Sequence, residues 1–130
     1  MVKDYVNRRF RSWSIVLYSD SFDYDFNSVM QVLKSYKDYA YVKHEREDKE
    51  KKEHYHFNLY LDNPTYRSSL ACKLGIKENY IESIDNVRVM NRYLTHIDFP
   101  DKIQYDLSCV VVSSHYWKKF KKCYDDLELA

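Results

Sequence analysis

Two hydrophobic periodicities alternate along the 130-residue chain. Runs that are apolar or alternate between apolar and polar residues predict strands over residues 10–18, 39–43, 53–61 and 80–84. Apolar residues at intervals of three and four predict helices over about 24–36, 64–74, 87–97 and 115–127. Residues 107–112 are a further strand or a buried segment. The resulting order, β-α-β-β-α-β followed by helices, indicates an α+β fold with a ferredoxin-like antiparallel sheet. Two helices would pack on one face of this sheet, and the other face would stay open for a site.

The third predicted strand contains Glu-His-Tyr-His-Phe-Asn-Leu-Tyr-Leu at residues 53–61. Because side chains alternate between the two faces of a sheet, His54 and His56 share one face with Asn58 and Tyr60. Aromatic and apolar side chains occupy the other face. Two imidazoles on one face can point at the same metal ion, although this pattern alone fits a structural or surface role equally well.

Composition narrows the possible functions. The length fits one domain with a sizeable core. Aromatic residues make up 17% of the chain, and fourteen of them are tyrosines, which pack well in sheets and can stack on nucleobases where exposed. Gly75 is the single glycine. This excludes a Walker P-loop and a glycine-rich dinucleotide turn, because each needs several glycines.

The cysteines and the hydropathy pattern bear on the compartment. Three cysteines, an odd number with wide spacing and no CxxC pair, do not indicate a disulfide framework. A reducing, cytoplasmic location is therefore expected. The chain also has no apolar signal segment and no apolar run as long as a membrane helix, so no membrane association is expected.

Basic residues are unevenly distributed, although the net charge is only +1. Two basic clusters contain aromatic residues, one at residues 7–11 and one at residues 118–122. Local patches rather than net charge set contacts with phosphates, so Arg8, Arg9 and Arg11 are candidate DNA-binding residues. Such clusters are, however, more often solvated faces than binding sites.

Three further segments accompany the two-histidine strand. They are His-Glu-Arg-Glu at 44–47, Arg-Tyr-Leu-Thr-His-Ile-Asp-Phe-Pro-Asp-Lys-Ile-Gln-Tyr at 92–105, and Trp-Ser-Ile-Val-Leu-Tyr-Ser-Asp-Ser at 13–21. Together with the two-histidine strand, and in their order along the chain, these segments resemble the motifs of the HUH endonucleases. The resemblance is in particular to the replication initiators of small rolling-circle bacterial plasmids. The resemblance extends from about residue 10 to residue 106.

The resemblance implies a metal site and a nucleophile. By position, the metal ligands would be His44, Glu47, His54 and His56, and the nucleophile would be Tyr93. Residues 44 and 47 face opposite ways in a regular strand, so Asp48 is the alternative carboxylate. A site rich in nitrogen ligands favours Mn²⁺, with Mg²⁺ as the alternative ion.

The tyrosine segment also suggests proton-transfer and phosphate-binding residues. Many relatives have a lysine where this chain has His96. His96 either accepts the tyrosine proton or is a helix C-terminal histidine favoured by the helix dipole. Arg88 and Arg92 flank Tyr93 and are candidates to hold phosphates, and Lys102 in the same segment is a further candidate DNA contact.

The implied activity is that of a metal-dependent, sequence-specific endonuclease and strand transferase acting on single-stranded DNA. It would nick a replication origin through a 5′-phosphotyrosine intermediate and so start rolling-circle replication. Two alternatives remain open: a non-catalytic domain that binds single-stranded nucleic acid with a structural metal, and the nuclease domain of a viral replication initiator. The chain is expected to form a single domain over residues 1–130. Whether it is the N-terminal part of a longer initiator, whose remainder sets the oligomeric state, is left open.

Overall fold

A computed structural model describes residues 8–45 and 52–125. Five strands form one antiparallel sheet in the order β4-β1-β3-β2-β5. They are β1 (Phe10–Leu17), β2 (Tyr39–His44), β3 (His54–Thr65), β4 (Ile81–Ser83) and β5 (Val111–Val112). The helices are α1 (Phe26–Lys34), α2 (Arg67–Leu74), α3 (Val87–Tyr93) and α4 (Trp117–Lys122). The predicted β-α-β-β-α-β order and the α+β ferredoxin-like class are confirmed.

The main core lies between one face of the sheet and helices α1 and α2. Alternation along the three long strands places apolar side chains on this face, where the buried ones from β1 and β3 are Trp13, Ile15, Leu17, Phe57 and Leu59. The helices contribute Val29, Met30, Leu33, Leu70, Ala71 and Leu74. Two helices therefore pack on one face of the sheet, as predicted, and the apolar side of α1 is buried there.

The opposite face of the sheet is largely covered, so the prediction that it stays open was wrong. A second buried cluster contains Ala40 and Val42 from β2, Leu94 after α3, and Tyr116 and Phe120 of the C-terminal segment. Phe120 is only 1% exposed. Because these apolar side chains must be removed from water, the C-terminal segment packs across the sheet. The histidine-bearing ends of β2 and β3 lie beside a cavity.

Several elements differ in length from their predictions. β3 continues to Thr65, past its predicted end at residue 61, and α4 covers only Trp117–Lys122. α3 ends at Tyr93, four residues before its predicted end, and residues 94–98 form turns. None of the helices in the described ranges is both long enough and apolar enough to cross a membrane.

A buried polar network fixes α3 against the sheet. The Asn91 side-chain oxygen accepts hydrogen bonds from Asn58 Nδ2 (3.2 Å) and Tyr60 Oη (2.5 Å), both on β3. Asn91 Nδ2 in turn donates to Tyr116 Oη at 2.9 Å. Because buried polar groups are costly unless paired, these bonds select one rotation and one height of α3 over the sheet. They therefore define where Tyr93, two residues further along, is held.

Candidate active site

Three imidazoles lie together at one end of the sheet. In the β2–β3 register His44 faces His54 directly, and His56 faces Val42 one step further in. The ring centroids of His44 and His54 are 5.2 Å apart, and those of His44 and His56 are 5.9 Å apart. His44 and His56 are buried, whereas His54 is half-buried. The structure thus brings together the three histidines singled out in the sequence.

Backbone carbonyls orient two of these rings. His44 Nε2 lies 3.0 Å from the Leu94 oxygen, and His54 Nδ1 lies 3.1 Å from the Lys52 oxygen. A carbonyl oxygen only accepts, so these nitrogens carry the protons in the neutral rings. The lone pairs are then on His44 Nδ1 and His54 Nε2, which are 3.4 Å apart. Imidazole rings whose second nitrogen donates to a backbone carbonyl are typical of metal-binding histidines.

His56 has a different environment. Its Nε2 is 2.8 Å from Ser14 Oγ on β1. Burial, together with the neighbouring histidines His44, His54 and His96, lowers the pKa of His56 to about 3. The ring is therefore neutral at physiological pH, the form in which an imidazole can bind a metal ion or accept a proton.

The described residues do not complete a metal site. Over residues 8–45 and 52–125, no group of three or more His, Cys, Asp or Glu side chains is arranged to hold a metal ion. The predicted carboxylates, Glu47 and Asp48, lie outside the described residues. The fit to a divalent ion therefore rests on the facing nitrogens of His44 and His54. A zinc-like ion binds imidazole nitrogens at about 2.0–2.1 Å, which puts two such nitrogens roughly 3 Å apart.

Tyr93, the last residue of α3, lies next to the histidine cluster. Its ring centroid lies 6.3 Å from that of His44, 5.5 Å from that of His56 and 4.9 Å from that of His96. The side chain is half-buried. The predicted nucleophile and the predicted metal-binding histidines therefore share one site.

His96 lies three residues after the last residue of α3, in the turns that follow this helix. It has φ 61°, the only positive φ of a non-glycine residue in the described ranges, and it is 2% exposed. Its ring centroid is 4.3 Å from that of His44, and its Nδ1 donates to the Ile103 oxygen at 2.9 Å. A left-handed backbone is unfavourable for a residue with a Cβ, and such strain is concentrated at functional sites. The left-handed turn at His96 brings its ring against both His44 and Tyr93.

The sequence pattern of the family described as plasmid replication protein, origin binding domain, matches residues 5–116. The chain belongs to this family. Comparison with curated proteins gave no match. Family membership confirms the resemblance to plasmid replication initiators, and it identifies DNA at a replication origin as the partner. The matched range of this origin-binding domain includes every histidine described above, and Tyr93.

The predicted DNA-binding residues of the origin-binding domain fall in different places. Lys102 lines the same cavity as Tyr93 and His54. The other basic candidates from the N-terminal segment are exposed and lie at the start of β1: Arg8, Arg9 and Arg11. In the β1–β3 register Phe10 pairs with Thr65, whereas Leu17 pairs with Tyr55. These arginines are therefore separated from the histidines by the length of β1.

The two arginines of α3 also differ from each other. Arg92 is 8% exposed, and its guanidinium binds both carboxylate oxygens of Asp98 at 2.7 and 2.9 Å and the Cys123 oxygen at 3.1 Å. Hydrogen bonds from Arg92 lower the pKa of Asp98. Arg92 thus ties the turn after α3 to the C-terminal segment, and its predicted phosphate contact is not supported. Arg88 is exposed, with Nη1 3.4 Å from the Lys122 oxygen.

Tyr105 is a site residue that sequence reasoning missed. Its ring stacks on His44 with centroids 5.0 Å apart and an interplanar angle of 24°. Its hydroxyl accepts a hydrogen bond from the Glu45 amide at 2.8 Å, so it also holds the end of β2. Tyr105 is the last residue of the segment 92–105 quoted above. Its position in the sequence does not indicate that it contacts His44.

A cavity of about 640 Å³ adjoins the histidines. Its wall includes His44, His54 and Tyr93, and it also includes Tyr18 and Phe22 from the loop that follows β1. The Tyr18 ring centroid lies 5.9 Å from that of His54. The sequence did not predict that Tyr18 and Phe22 line the cavity. Both lie in a loop, where there is no alternation of apolar and polar residues to interpret.

Proposed function

We propose that this origin-binding domain is a metal-dependent endonuclease and strand transferase that acts on single-stranded DNA at a plasmid replication origin. The observation that carries the proposal is the position of Tyr93, in ring contact with His44, His56 and His96 on the wall of one cavity. A phenol beside a cluster of imidazoles is suited to nucleophilic catalysis, because an imidazole can take up its proton.

In the proposed reaction Tyr93 Oη attacks the phosphorus of a phosphodiester. A bond forms between Oη and phosphorus as the bond between phosphorus and the 3′ oxygen breaks. The products are a 5′-phosphotyrosine and a 3′ oxygen that takes a proton from water. The phenol proton passes to His96, whose Nδ1–H is fixed on the Ile103 oxygen, so that Nε2 is the basic nitrogen. Rejoining reverses the same steps, and no ATP is needed because one phosphoester replaces another.

The metal ion would be held by His44 and His54, with His56 and a carboxylate from Glu47 or Asp48 as further ligands. Mn²⁺ suits such nitrogen-rich ligation, and Mg²⁺ is the alternative. A bound divalent ion polarises a phosphoryl oxygen and neutralises charge on the phosphate. The Leu94 and Lys52 carbonyls keep the lone pairs of His44 and His54 turned toward each other.

Covalent capture tests this function. The protein is incubated with Mn²⁺ and a labelled pool of single-stranded oligonucleotides of randomised sequence, and the products are separated on a denaturing gel. We expect a labelled adduct with the protein, and sequencing of the attached DNA would give the preferred site. DNA binding without an adduct, together with tightly held zinc, would instead identify a non-catalytic nucleic-acid-binding domain.

Cleavage is expected to require single-stranded DNA at the nick. The stacked duplex keeps its backbone away from the half-buried Tyr93, and unpairing the site costs a few kcal/mol, so a fully paired duplex should react about 100-fold more slowly. Rates of adduct formation on one labelled strand, alone and annealed to its complement, measure this difference. Equal rates on the two substrates would contradict the prediction.

Tyr105 is expected to act as a positioning residue for His44. Tyr105→Ala removes the stacked ring and should weaken Mn²⁺ binding and slow cleavage by about 10- to 100-fold, as is typical when the support of a metal ligand is lost. Tyr105→Phe keeps the ring and removes the hydroxyl that accepts the hydrogen bond from Glu45, so its effect should be smaller. Calorimetric Mn²⁺ titration, with circular dichroism to verify folding, gives the comparison. A folded Tyr105→Ala variant with the affinity of the parent protein would disprove this role.

A further inference from the structure

Phe22 is a large apolar residue exposed at the active-site cavity. It lines the same cavity as Tyr93 and His54, yet its side chain is 101% exposed. Among the exposed large hydrophobic residues of the described ranges, the next most exposed is Val89 at 48%. Full exposure means that the ring contributes almost nothing to the stability of the domain. An aromatic ring held in water at the edge of a cavity is available to a ligand.

The loop that carries Phe22 is fixed on both sides of it. Asp23 accepts a hydrogen bond from Tyr80 Oη at 3.1 Å. The buried Tyr24 accepts a hydrogen bond from the Tyr18 amide at 2.7 Å and packs edge-on against Tyr80, with ring centroids 5.3 Å apart. Because its neighbours are anchored to Tyr18, the residue after β1, and to Tyr80, the residue before β4, the backbone of Phe22 is held in place while its ring projects outward. Such preorganisation lowers the entropic cost of binding.

We propose that this cavity receives one nucleobase of single-stranded DNA next to the scissile phosphate, stacked on Phe22. The inference rests on the proposed function, since the cavity is continuous with Tyr93 and His54. Its volume of about 640 Å³ lies in the range of small-ligand sites, roughly 300–1,000 Å³. Base stacking on an aromatic ring tolerates any base, so Phe22 would supply affinity.

The cavity wall has charged groups of both signs, the lysines Lys52 and Lys102 and two carboxylates, so it offers hydrogen-bond donors and acceptors to the edge of a base. Asp20 and Asp23 both line the cavity. The exocyclic amino group of a base can donate a hydrogen bond to a carboxylate. Lys52, which lies 3.9 Å from Asp20, also lines the cavity and can donate to a base carbonyl. The occupant that fits is therefore a nucleobase, with the sugar-phosphate backbone directed toward Tyr93.

Fluorescence of 2-aminopurine tests the stacking directly. A randomised single-stranded pool is selected for binding to the Tyr93→Phe protein, which should not cleave its ligand. 2-Aminopurine is then placed singly at successive positions of a selected oligonucleotide. We expect quenching on binding at one position that disappears when Phe22→Ala is added. The Phe22→Ala change should also weaken binding by roughly 5- to 150-fold, the equivalent of about 1–3 kcal/mol of base stacking.

Further variants and ligands separate stacking from other effects. Phe22→Trp should restore binding, whereas Phe22→Leu, which keeps an apolar side chain without a ring, should not. An abasic residue at the quenched position should weaken binding to the parent and add no further loss in Phe22→Ala. The matched control is Tyr66→Ala, because Tyr66 is 42% exposed and follows the opposite end of β3 from His54. It should bind like the parent.

The outcomes distinguish failure of this inference from failure of the proposed function. If the wild-type protein binds the selected DNA but forms no adduct with Mn²⁺, the nuclease proposal fails, while the quenching data still decide the role of Phe22. If adducts form but Phe22→Ala binds and reacts like the parent, the base site is disproved. Equal losses for Phe22→Ala and Tyr66→Ala would overturn it as well.

Discussion

Replacing Tyr93 with phenylalanine is expected to abolish DNA cleavage and the covalent protein–DNA adduct together. The change removes one oxygen atom, the proposed nucleophile, and leaves the ring that packs on His56 and Phe99. The loss should be on the order of 10⁴-fold or more, comparable with removal of a nucleophile in other enzymes. DNA binding and the free energy of unfolding should change little. Adduct formation with Mn²⁺ on a denaturing gel, beside binding measured by fluorescence anisotropy, gives the comparison.

Other tyrosines near the site provide the controls. Tyr18 and Tyr80 line the same cavity as Tyr93, and the Tyr80 hydroxyl donates to Asp23. Tyr18→Phe and Tyr80→Phe should each still form the adduct. Tyr60 shares a sheet face with the histidines, but its hydroxyl is bonded to Asn91 and burial raises its pKa well above the ordinary value. Peptide mapping of the DNA to a tyrosine other than Tyr93 would refute the assignment.

The faces of the strands could be predicted from the sequence because alternation in a strand is a local property. His54 and His56 share a face by their spacing alone, and the short connection between β2 and β3 makes them antiparallel neighbours. His44 was a candidate through the family resemblance, and the register of β2 and β3 places it opposite His54. Local periodicity is therefore sufficient to place His54 and His56 on one face, whereas the position of His44 follows from the pairing of the two strands.

The end of α3 could not be predicted in this way. Apolar spacing extends through Ile97, but the chain leaves the helix after Tyr93, and His96 takes a left-handed conformation. The turn is stabilised by contacts between residues distant in the sequence, such as that of Arg92 with Cys123. Periodicity contains no information about such contacts, so the hydrogen bonds of Arg92 with Asp98 and Cys123 could not be predicted from the sequence.

The aromatic residues that surround the site could not be predicted from the sequence either. Tyr105 contacts His44, which is far from it in the sequence, and Phe22 lies in a loop that has no periodic pattern. The fourteen tyrosines are distributed over the whole sequence. The composition therefore indicated that aromatic residues could stack on nucleobases, but it did not indicate which residues. The residues that support and extend the site are identified by tertiary structure, whereas the reactive residues were identified by spacing and family resemblance.

The second large effect is expected at the facing histidines. His54→Ala removes one of the two nitrogens that lie 3.4 Å apart, and because His54 is half-buried its replacement should leave the fold intact. His56 is less suitable for this test, since it is buried and bonded to Ser14. We expect His54→Ala to lose Mn²⁺ binding and cleavage together. In the parent protein Mn²⁺ at 100 times its dissociation constant should add about 2.7 kcal/mol to the free energy of unfolding, and chelation should remove this gain.

His115→Gln is the matched control for the loss of an imidazole. His115 pairs with Asp38 at 2.6 Å and does not line the active-site cavity. Its replacement should preserve both the rise in thermal midpoint with Mn²⁺ and the cleavage rate, whereas His54→Ala should lose both because it removes one of the two facing nitrogens of the proposed metal site. Thermal unfolding with and without Mn²⁺, read beside adduct formation, separates loss of the ion from loss of the fold. If His54→Ala were still stabilised by Mn²⁺ and still cleaved DNA at the parent rate, the facing nitrogens of His44 and His54 would not be the metal site, and the carbonyls of Leu94 and Lys52 would have only a structural role.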